Sequence, residues 1–105
     1  MQYLVKEIKP VADLVRACHG KIPIALGTGG HRETVMDTLE VIAMTGYFEH
    51  IVTADDVSKH KPDPETFMKC ADRMGISPAK IMVFEDGDLG ISAALTAGMR
   101  PVDVR

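Results

Sequence analysis

The sequence predicts an α/β fold, in which helices flank a sheet of parallel strands. Short apolar runs alternate with amphipathic helical segments along the 105 residues, and this alternation is typical of right-handed βαβ units. Proline and glycine stand where the helices are expected to start and stop. The length allows one small domain with a thin core, so we expect residues 1–105 to form a single domain.

Four helices are predicted from apolar residues that recur with helical spacing and from the residues that flank them. The second is amphipathic and ends near Gly46, and its apolar face consists of Val35, Leu39, Ile42 and Ala43. The third has Asp63 as its N-cap and Pro64 as its first helical residue. The predicted spans are Val11–Cys18, Arg32–Met44, Pro64–Gly75 and Leu89–Ala97.

Four short apolar runs are predicted to be strands. The third run is the most strand-like, and the fourth is expected at an edge of the sheet. Pro23 weakens the prediction of the first strand, because proline donates no hydrogen bond to a neighbouring strand. The predicted strands are Ile22–Leu26, Ile51–Thr53, Ile81–Phe84 and Val102–Val104.

Composition and charge exclude several classes of function. A formal net charge of -3 gives no electrostatic footprint for nucleic acid or for an anionic membrane. No apolar run approaches the roughly 18 residues of a membrane span, and the charges within Met1–Pro10 are unlike those of a signal peptide. Cys18 and Cys70 lie in apolar helical patterns without metal-binding spacing, which predicts buried thiols in a reducing, cytoplasmic compartment.

The polar residues that follow the strands are the candidate functional residues. Ligands of parallel sheets bind outside the carboxyl ends of the strands, so the polar groups that follow successive strands are expected to converge on one rim. Three such groups occur, at residues 28–30, 55–61 and 85–88.

The first group combines a hydroxyl with unhindered backbone N–H groups at the start of a helix. The N–H groups and the helix dipole both favour an anion, so Thr28, Gly29 and Gly30 are candidate phosphate-binding residues. The alternative is an ordinary strand-to-helix turn with Thr28 as a cap. His31 and Arg32 follow directly and are candidate substrate contacts, with solvated helix-start residues as the alternative.

Lys61, in the second group, precedes a proline, which favours an extended conformation that keeps the lysine apart from the following helix. An ammonium fixed at the rim would neutralise a phosphoryl oxygen or a carboxylate. The alternative is a solvated lysine beside a turn.

Glu85 and Asp86, in the third group, directly follow a buried apolar strand, where unpaired carboxylates are unfavourable. Mg²⁺ coordination removes this penalty, because Mg²⁺ takes one or two protein carboxylates together with phosphate oxygens and waters. We expect Asp86 to be a direct ligand and Glu85 a direct or water-bridged one. The alternative is that Asp86 or Asp88 caps the next helix.

A hydroxyl, a lysine and an acidic pair after three successive strands form phosphoryl-transfer machinery. The three segments resemble motifs two to four of the haloacid dehalogenase superfamily, most closely its β-phosphoglucomutase and sugar-phosphatase branch, including bacterial fructose-1-phosphate phosphatase-like proteins. They read GTG at 27–29, KPDP at 61–64 and VFEDGDLGI at 83–91.

The resemblance implies a Mg²⁺-dependent phosphatase or phosphoglucomutase acting on small sugar phosphates, in which Thr28 and Lys61 hold the phosphoryl group. It also implies an aspartate nucleophile in a DxDGT strand, which this sequence lacks. We therefore expect the C-terminal part of such a catalytic core, inactive alone, with residues 1–9 a remnant of the cap connection.

In the family, the nucleophile strand lies between the strand ending at Leu26 and the strand ending at Phe84. The resemblance therefore implies a partial Rossmann-like sheet that lacks its central strand, with a gap that could be closed by self-association.

Two readings of another class stay open. A phospho-receiver domain also places a Thr or Ser and then Lys-Pro after successive strands, but its acidic pair precedes both. The second alternative is a degenerate chain that has lost catalysis and serves only in interaction with a partner.

Overall fold

The computed structural model describes residues 9–41 and 46–104. Four helices, α1 to α4, and four strands, β1 to β4, alternate along this part of the chain, with two short 3-10 turns between them. The helices are α1 (Lys9–Cys18), α2 (Arg32–Val41), α3 (Glu65–Met74) and α4 (Asp88–Thr96). The strands are β1 (Ala25–Gly27), β2 (His50–Val52), β3 (Met82–Glu85) and β4 (Arg100–Asp103), and the 3-10 turns are Ala54–Asp56 and Pro78–Lys80.

In this part of the chain the strands form two separate parallel pairs, β1 with β2 and β3 with β4. Ala25 lies opposite His50 in the first pair, and Met82 lies opposite Arg100 in the second. The predicted α/β class and parallel pairing are confirmed. Among the described residues each of the four strands pairs on one side only, so β1 and β3 each have an open edge, as expected for a sheet without its central strand.

The predicted start of the first strand is wrong. Ile22, Pro23 and Ile24 precede β1, which begins at Ala25. Pro23 has no N–H to donate to a ladder, and Ile22 is exposed and does not belong to a buried strand. The other strands differ from their predicted bounds by one or two residues. β4 starts early because the Arg100 N–H donates to the Ile81 carbonyl at 3.0 Å.

The helix boundaries follow the predicted stops and starts closely. α3 begins at Glu65, so Pro64 precedes the helix, and the prediction that it is the first helical residue is wrong. The Glu65 N–H donates to Asp63 Oδ1 at 3.0 Å, so the Asp63 side chain still satisfies a first-turn donor in the manner of a cap. α4 is followed by Gly98, whose φ of 81° is favourable for glycine alone. Ile42, Ala43 and Met44 of the predicted second helix, and residues 1–8 of the predicted cap connection, lie outside the described residues. No helix of residues 9–41 and 46–104 has the length and apolarity to cross a bilayer.

Two apolar clusters form the core of the described residues. One packs α2 onto the first strand pair through the buried Val35 and Leu39, against Leu26 and Ile51. The other joins α3, α4 and the second strand pair, and its buried members are Phe67, Ala71, Ala93, Ala94, Ala97 and Met99. α3 packs on both β1 and β2 and also contacts α4, so this helix links the two halves.

The second strand pair is covered on one face only by the described residues. Val83 of β3 packs into the cluster that contains α4, and alternate residues of a strand point to opposite faces. Met82 and Phe84 therefore lie on the other face, where they are 48% and 37% exposed. This uncovered apolar face adjoins the open edge of β3.

Val35 and Val41 of α2 provide a matched test of the core. Val35 is fully buried, whereas Val41 is 86% exposed. We expect Val35→Ala to lower the free energy of unfolding by about 2 kcal/mol through lost burial and a residual cavity. Val41→Ala should change it by less than about 0.5 kcal/mol. Urea unfolding of both variants measures this difference, and equal effects would contradict the packing of α2.

Candidate functional site at the carboxyl ends of the strands

Lys61 joins the carboxyl ends of two strands that belong to different pairs. Its Nζ donates to the Gly27 carbonyl at the end of β1 at 3.3 Å, and to Glu85 Oε2 at the end of β3 at 3.2 Å. The same Nζ lies 4.7 Å from the centroid of the Phe67 ring on α3. The side chain is 17% exposed, so the ammonium is held rather than solvated. The structure thus brings the three predicted polar groups to one rim.

Glu85 turns back toward Lys61 and the start of α4. Its Oε1 accepts a hydrogen bond from the Asp86 N–H at 3.1 Å, while its Oε2 pairs with Lys61. The carboxylate lies over Gly90, and a Cβ at Gly90 would overlap it. A glycine at this position of α4 is therefore needed for Glu85 to adopt this conformation.

Asp86 is partly buried beside this pair. Among the described residues, no hydrogen bond or ion pair engages its carboxylate. The same residues contain no group of three or more His, Cys, Asp or Glu side chains placed to hold a metal ion. The donor set offers one unengaged carboxylate, Asp86, and one shared with Lys61, which fits an ion that takes its other oxygens from phosphate and water.

The Thr28 turn has one backbone donor left over. The Thr28 N–H donates to the Val52 carbonyl at 2.9 Å, and the Gly30 N–H donates to Thr28 Oγ1 at 3.1 Å. The Gly29 N–H has no acceptor among the described residues, and the space above its Cα is open. The turn therefore presents a buried hydroxyl and a free N–H next to the carbonyl that Lys61 contacts.

The N-terminus of α2 already holds an anion from its own chain. Asp55 Oδ2 accepts the Arg32 N–H at 2.9 Å, and Asp55 Oδ1 lies 2.9 Å from His31 Nδ1. These hydrogen bonds, first that of His31 and then that of Arg32, lower the pKa of Asp55. The anion expected at this helix start from the sequence is thus supplied in part by Asp55.

Arg32 extends away from the rim. Its Nη2 contacts Asp56 Oδ2 at 3.0 Å and the Ile51 carbonyl at 3.1 Å. Asp56 Oδ2 also accepts the Thr53 N–H at 2.8 Å and the Thr53 hydroxyl at 3.0 Å. The described contacts of His31 and Arg32 are therefore with residues 51–56 and not with Lys61, Glu85 or Asp86, and their role toward a substrate stays a prediction.

A buried thiol lies beneath the rim. Cys70 Sγ and the Phe67 ring both approach Gly27 so closely that a Cβ there would be crowded. Burial raises the pKa of Cys70 to about 11, although the charge of Lys61 opposes the rise. The thiol is protonated at neutral pH, and it is therefore a packing group rather than a nucleophile.

Sequence reasoning missed several residues that support the site. The Gly27 carbonyl and the Phe67 ring hold Lys61 through contacts between distant segments, which no local pattern indicates. A signal was available for Glu65, Lys69 and Arg73, because residues spaced four apart on a helix share one face.

Comparison with known proteins gives a consistent result. The family model for haloacid dehalogenase-like hydrolases matches residues 1–104. The chain is 47% identical to the fructose-1-phosphate phosphatase YqaB of Escherichia coli over 91% of its own length and 51% of that protein. It is 32% identical to a phosphorylated carbohydrates phosphatase of Thermotoga maritima, over 94% of this chain and 46% of that protein.

The solved structures agree with the sequence relatives. A Thermotoga maritima protein with a provisional β-phosphoglucomutase assignment superimposes with a TM-score of 0.84 and 32% identity, covering 89% of this chain and 44% of that one. The chain thus spans about half the length of the proteins that it matches.

Asp56 provides a pH test of the network beside the site. The Thr53 backbone hydrogen bond, together with the Thr53 hydroxyl and Arg32, lowers the pKa of Asp56 to about 2 from 3.8. A carboxyl with a lowered pKa stabilises the fold above its unfolded-state value and loses that contribution as pH falls toward its folded value. We expect Asp56→Asn to cost about 1–2 kcal/mol at pH 7, and less as the pH falls through the ordinary pKa of 3.8 toward 2.

Chemical denaturation across this pH range measures the difference from wild type, which isolates Asp56 from other acidic groups. Asp37→Asn, at an exposed position of α2, is the control and should change stability little at any pH. A cost for Asp56→Asn that stays constant down to pH 2 would contradict the assignment.

Proposed function

The chain belongs to the haloacid dehalogenase-like hydrolases, and we propose that it supplies the phosphate- and metal-binding half of a sugar-phosphate phosphatase site. One observation carries the proposal. The Lys61 ammonium is held between Gly27 at the end of β1 and Glu85 at the end of β3, which Thr28 and Asp86 directly follow in the chain, and the Asp86 carboxylate has no partner among the described residues. Family membership favours a hydrolase over a phospho-receiver or an interaction module.

In this proposal, Lys61, Thr28 and Gly29 hold the phosphoryl oxygens. An ammonium has three N–H donors, and Gly27 and Glu85 take two of those of Lys61. The third is left for a phosphoryl oxygen, as is the Gly29 N–H. Donors that are fixed before the reaction stabilise the charge that develops on these oxygens in the transition state.

Asp86 is the proposed direct ligand of Mg²⁺, and Glu85 is proposed to reach the ion directly or through water. When bound, Mg²⁺ supplies positive charge that neutralises the phosphoryl group. The role of Glu85 in this arrangement is also to fix Lys61, because one of its oxygens already pairs with that ammonium. Asp86 is therefore the carboxylate on which metal binding should depend most.

The proposed substrate is a small sugar phosphate. Two of the relatives are named for phosphatase activity on fructose 1-phosphate and on phosphorylated carbohydrates. The net charge of -3 disfavours nucleic acid and anionic membranes as partners. The free thiols of Cys18 and Cys70 are compatible with the reducing cytoplasm as the proposed location.

The 105-residue chain is expected to bind phosphate without turning over a phosphate ester, because its sequence has no DxDGT segment to supply the aspartate nucleophile. Titration with inorganic phosphate in the presence of Mg²⁺, followed by NMR, should move the signals of Thr28, Gly29 and Lys61. Lys61→Ala should weaken binding by about tenfold or more, as expected for a lost charge-assisted hydrogen bond.

Lys59→Ala is the matched control, since Lys59 is an exposed lysine two residues away, and it should leave the affinity unchanged. An assay of the same chain with fructose 1-phosphate and Mg²⁺ completes the test. Turnover that Asp86→Ala abolishes would show that the nucleophile assignment is wrong, and equal affinities in the two lysine variants would remove Lys61 from the site.

We also propose that the incomplete sheet makes the chain associate with a second copy. The open edges of β1 and β3 and the uncovered Met82 and Phe84 support this, because unpaired strand edges beside an apolar face favour pairing with another chain.

Light scattering after gel filtration, over a range of concentrations, should give a mass above 11.4 kDa. Met82→Lys should shift the equilibrium toward monomer. Met68→Lys, at an exposed methionine of α3, should not. A monomer at every concentration would refute the association.

A further inference from the structure

One face of α3 contacts the end of β2 and several points of the segment that leads from it to Lys61. Glu65, Lys69 and Arg73 are spaced four residues apart, and each reaches a different part of residues 51–59. We refer to these three side chains as the α3 ladder. Residues 53–59 of this segment belong to no strand, so their position depends on individual hydrogen bonds, of which those from α3 form a large part.

Glu65, at the beginning of the helix, is the first side chain of the α3 ladder. Its Oε2 accepts the Ser58 N–H at 3.0 Å, and its Oε1 accepts the Ser58 hydroxyl and the Lys59 N–H, both at 3.1 Å. One carboxylate therefore takes three hydrogen bonds from two consecutive residues. These bonds, led by that of the Ser58 N–H, lower the pKa of Glu65 and keep it ionised.

Lys69 and Arg73, the other two side chains of the α3 ladder, bind the earlier part of the segment. Lys69 Nζ donates to the Asp56 carbonyl at 2.6 Å. Arg73 Nη1 donates to the Ile51 carbonyl at 2.9 Å, and Arg73 Nη2 lies 3.8 Å from Asp56 Oδ1. The segment is thus attached to α3 at its beginning, its middle and its end.

The attachment ends two residues before Lys61. Beyond Lys59, the Asp63 N–H donates to the His60 carbonyl at 3.0 Å and closes a turn around Lys61. The Lys61 ammonium then returns to the same helix, where it lies over the Phe67 ring. α3 therefore fixes both the backbone that precedes Lys61 and the position of its charged end.

We propose that Glu65 is a positioning residue for Lys61. It acts through the backbone of Ser58 and Lys59, which it holds at the distance from α3 that places the ammonium between Gly27 and Glu85. Without the Glu65 carboxylate, the backbone of Ser58 and Lys59 is no longer attached to α3. The Lys61 ammonium then loses its fixed position over the Phe67 ring. The purpose of this arrangement rests on the proposed phosphate-binding role of Lys61, whereas the position of the ammonium is measured independently of it.

The Phe67 ring makes the position of Lys61 visible by NMR, because protons above an aromatic face are displaced upfield. The ε-CH₂ signal of Lys61, identified by its loss in Lys61→Arg, should be displaced in the wild-type chain. Glu65→Gln keeps the shape of the side chain and removes its charge. We expect it to reduce the upfield displacement by at least half while the amide spectrum of the core stays folded.

Glu33→Gln is the matched control, because Glu33 is also a first-turn helix glutamate but has no described contact with the segment. It should leave the Lys61 signal in place. Ser58→Ala removes only one of the three hydrogen bonds at Glu65 and is mild enough to fold, so it should move the signal in the same direction by a smaller amount.

A Lys61 signal that is unchanged in a folded Glu65→Gln chain overturns the proposal, even if the variant is less stable, because a purely structural role would alter stability alone. If Glu65→Gln does not fold, an unchanged signal in Ser58→Ala overturns it. Titration with inorganic phosphate separates the two claims: a wild-type chain that binds no phosphate refutes the proposed function, while the displacement of the Lys61 signal still tests the role of Glu65.

Discussion

The rest of the site depends on the contacts of the largely buried Lys61 ammonium. A charge removed from water must be paired and hydrogen-bonded, and here a carbonyl from β1, a carboxylate from β3 and an aromatic face from α3 meet that need. No strand of the described residues connects β1 with β3. Lys61 therefore links the two strand pairs through polar contacts, at the end where the candidate site lies.

The general layout of this site was predictable from the sequence. Short apolar runs and their flanking glycines predicted the order of the strands. The rule that parallel strands present their carboxyl ends to ligands predicted that Lys61 would approach the ends of β1 and β3, where it contacts Gly27 and Glu85. Helix limits were also accessible, because the Asp63 cap and the Gly98 stop are local signals that tertiary packing did not override.

The partners of individual charged groups were not predictable, because they depend on contacts between segments far apart in the chain. Asp55 sits at the N-terminus of α2 although it belongs to the loop after β2. Glu85, expected to face a metal ion, shares its carboxylate with Lys61 and its own neighbour. The predicted start of the first strand at Ile22 was wrong for the same reason. An apolar residue joins a buried strand only where another element of the fold covers it, and Ile22 is exposed.

The carbonyl of Ile51 receives two guanidinium groups, from Arg32 and from Arg73. The neighbouring Val52 carbonyl faces β1, so that of Ile51 points away from it. At the opposite end, β4 contains Pro101, which has no N–H to offer. β2 and β4 thus each carry a feature that opposes the pairing of a further strand, a carbonyl already taken by two guanidinium groups in one and a missing N–H in the other.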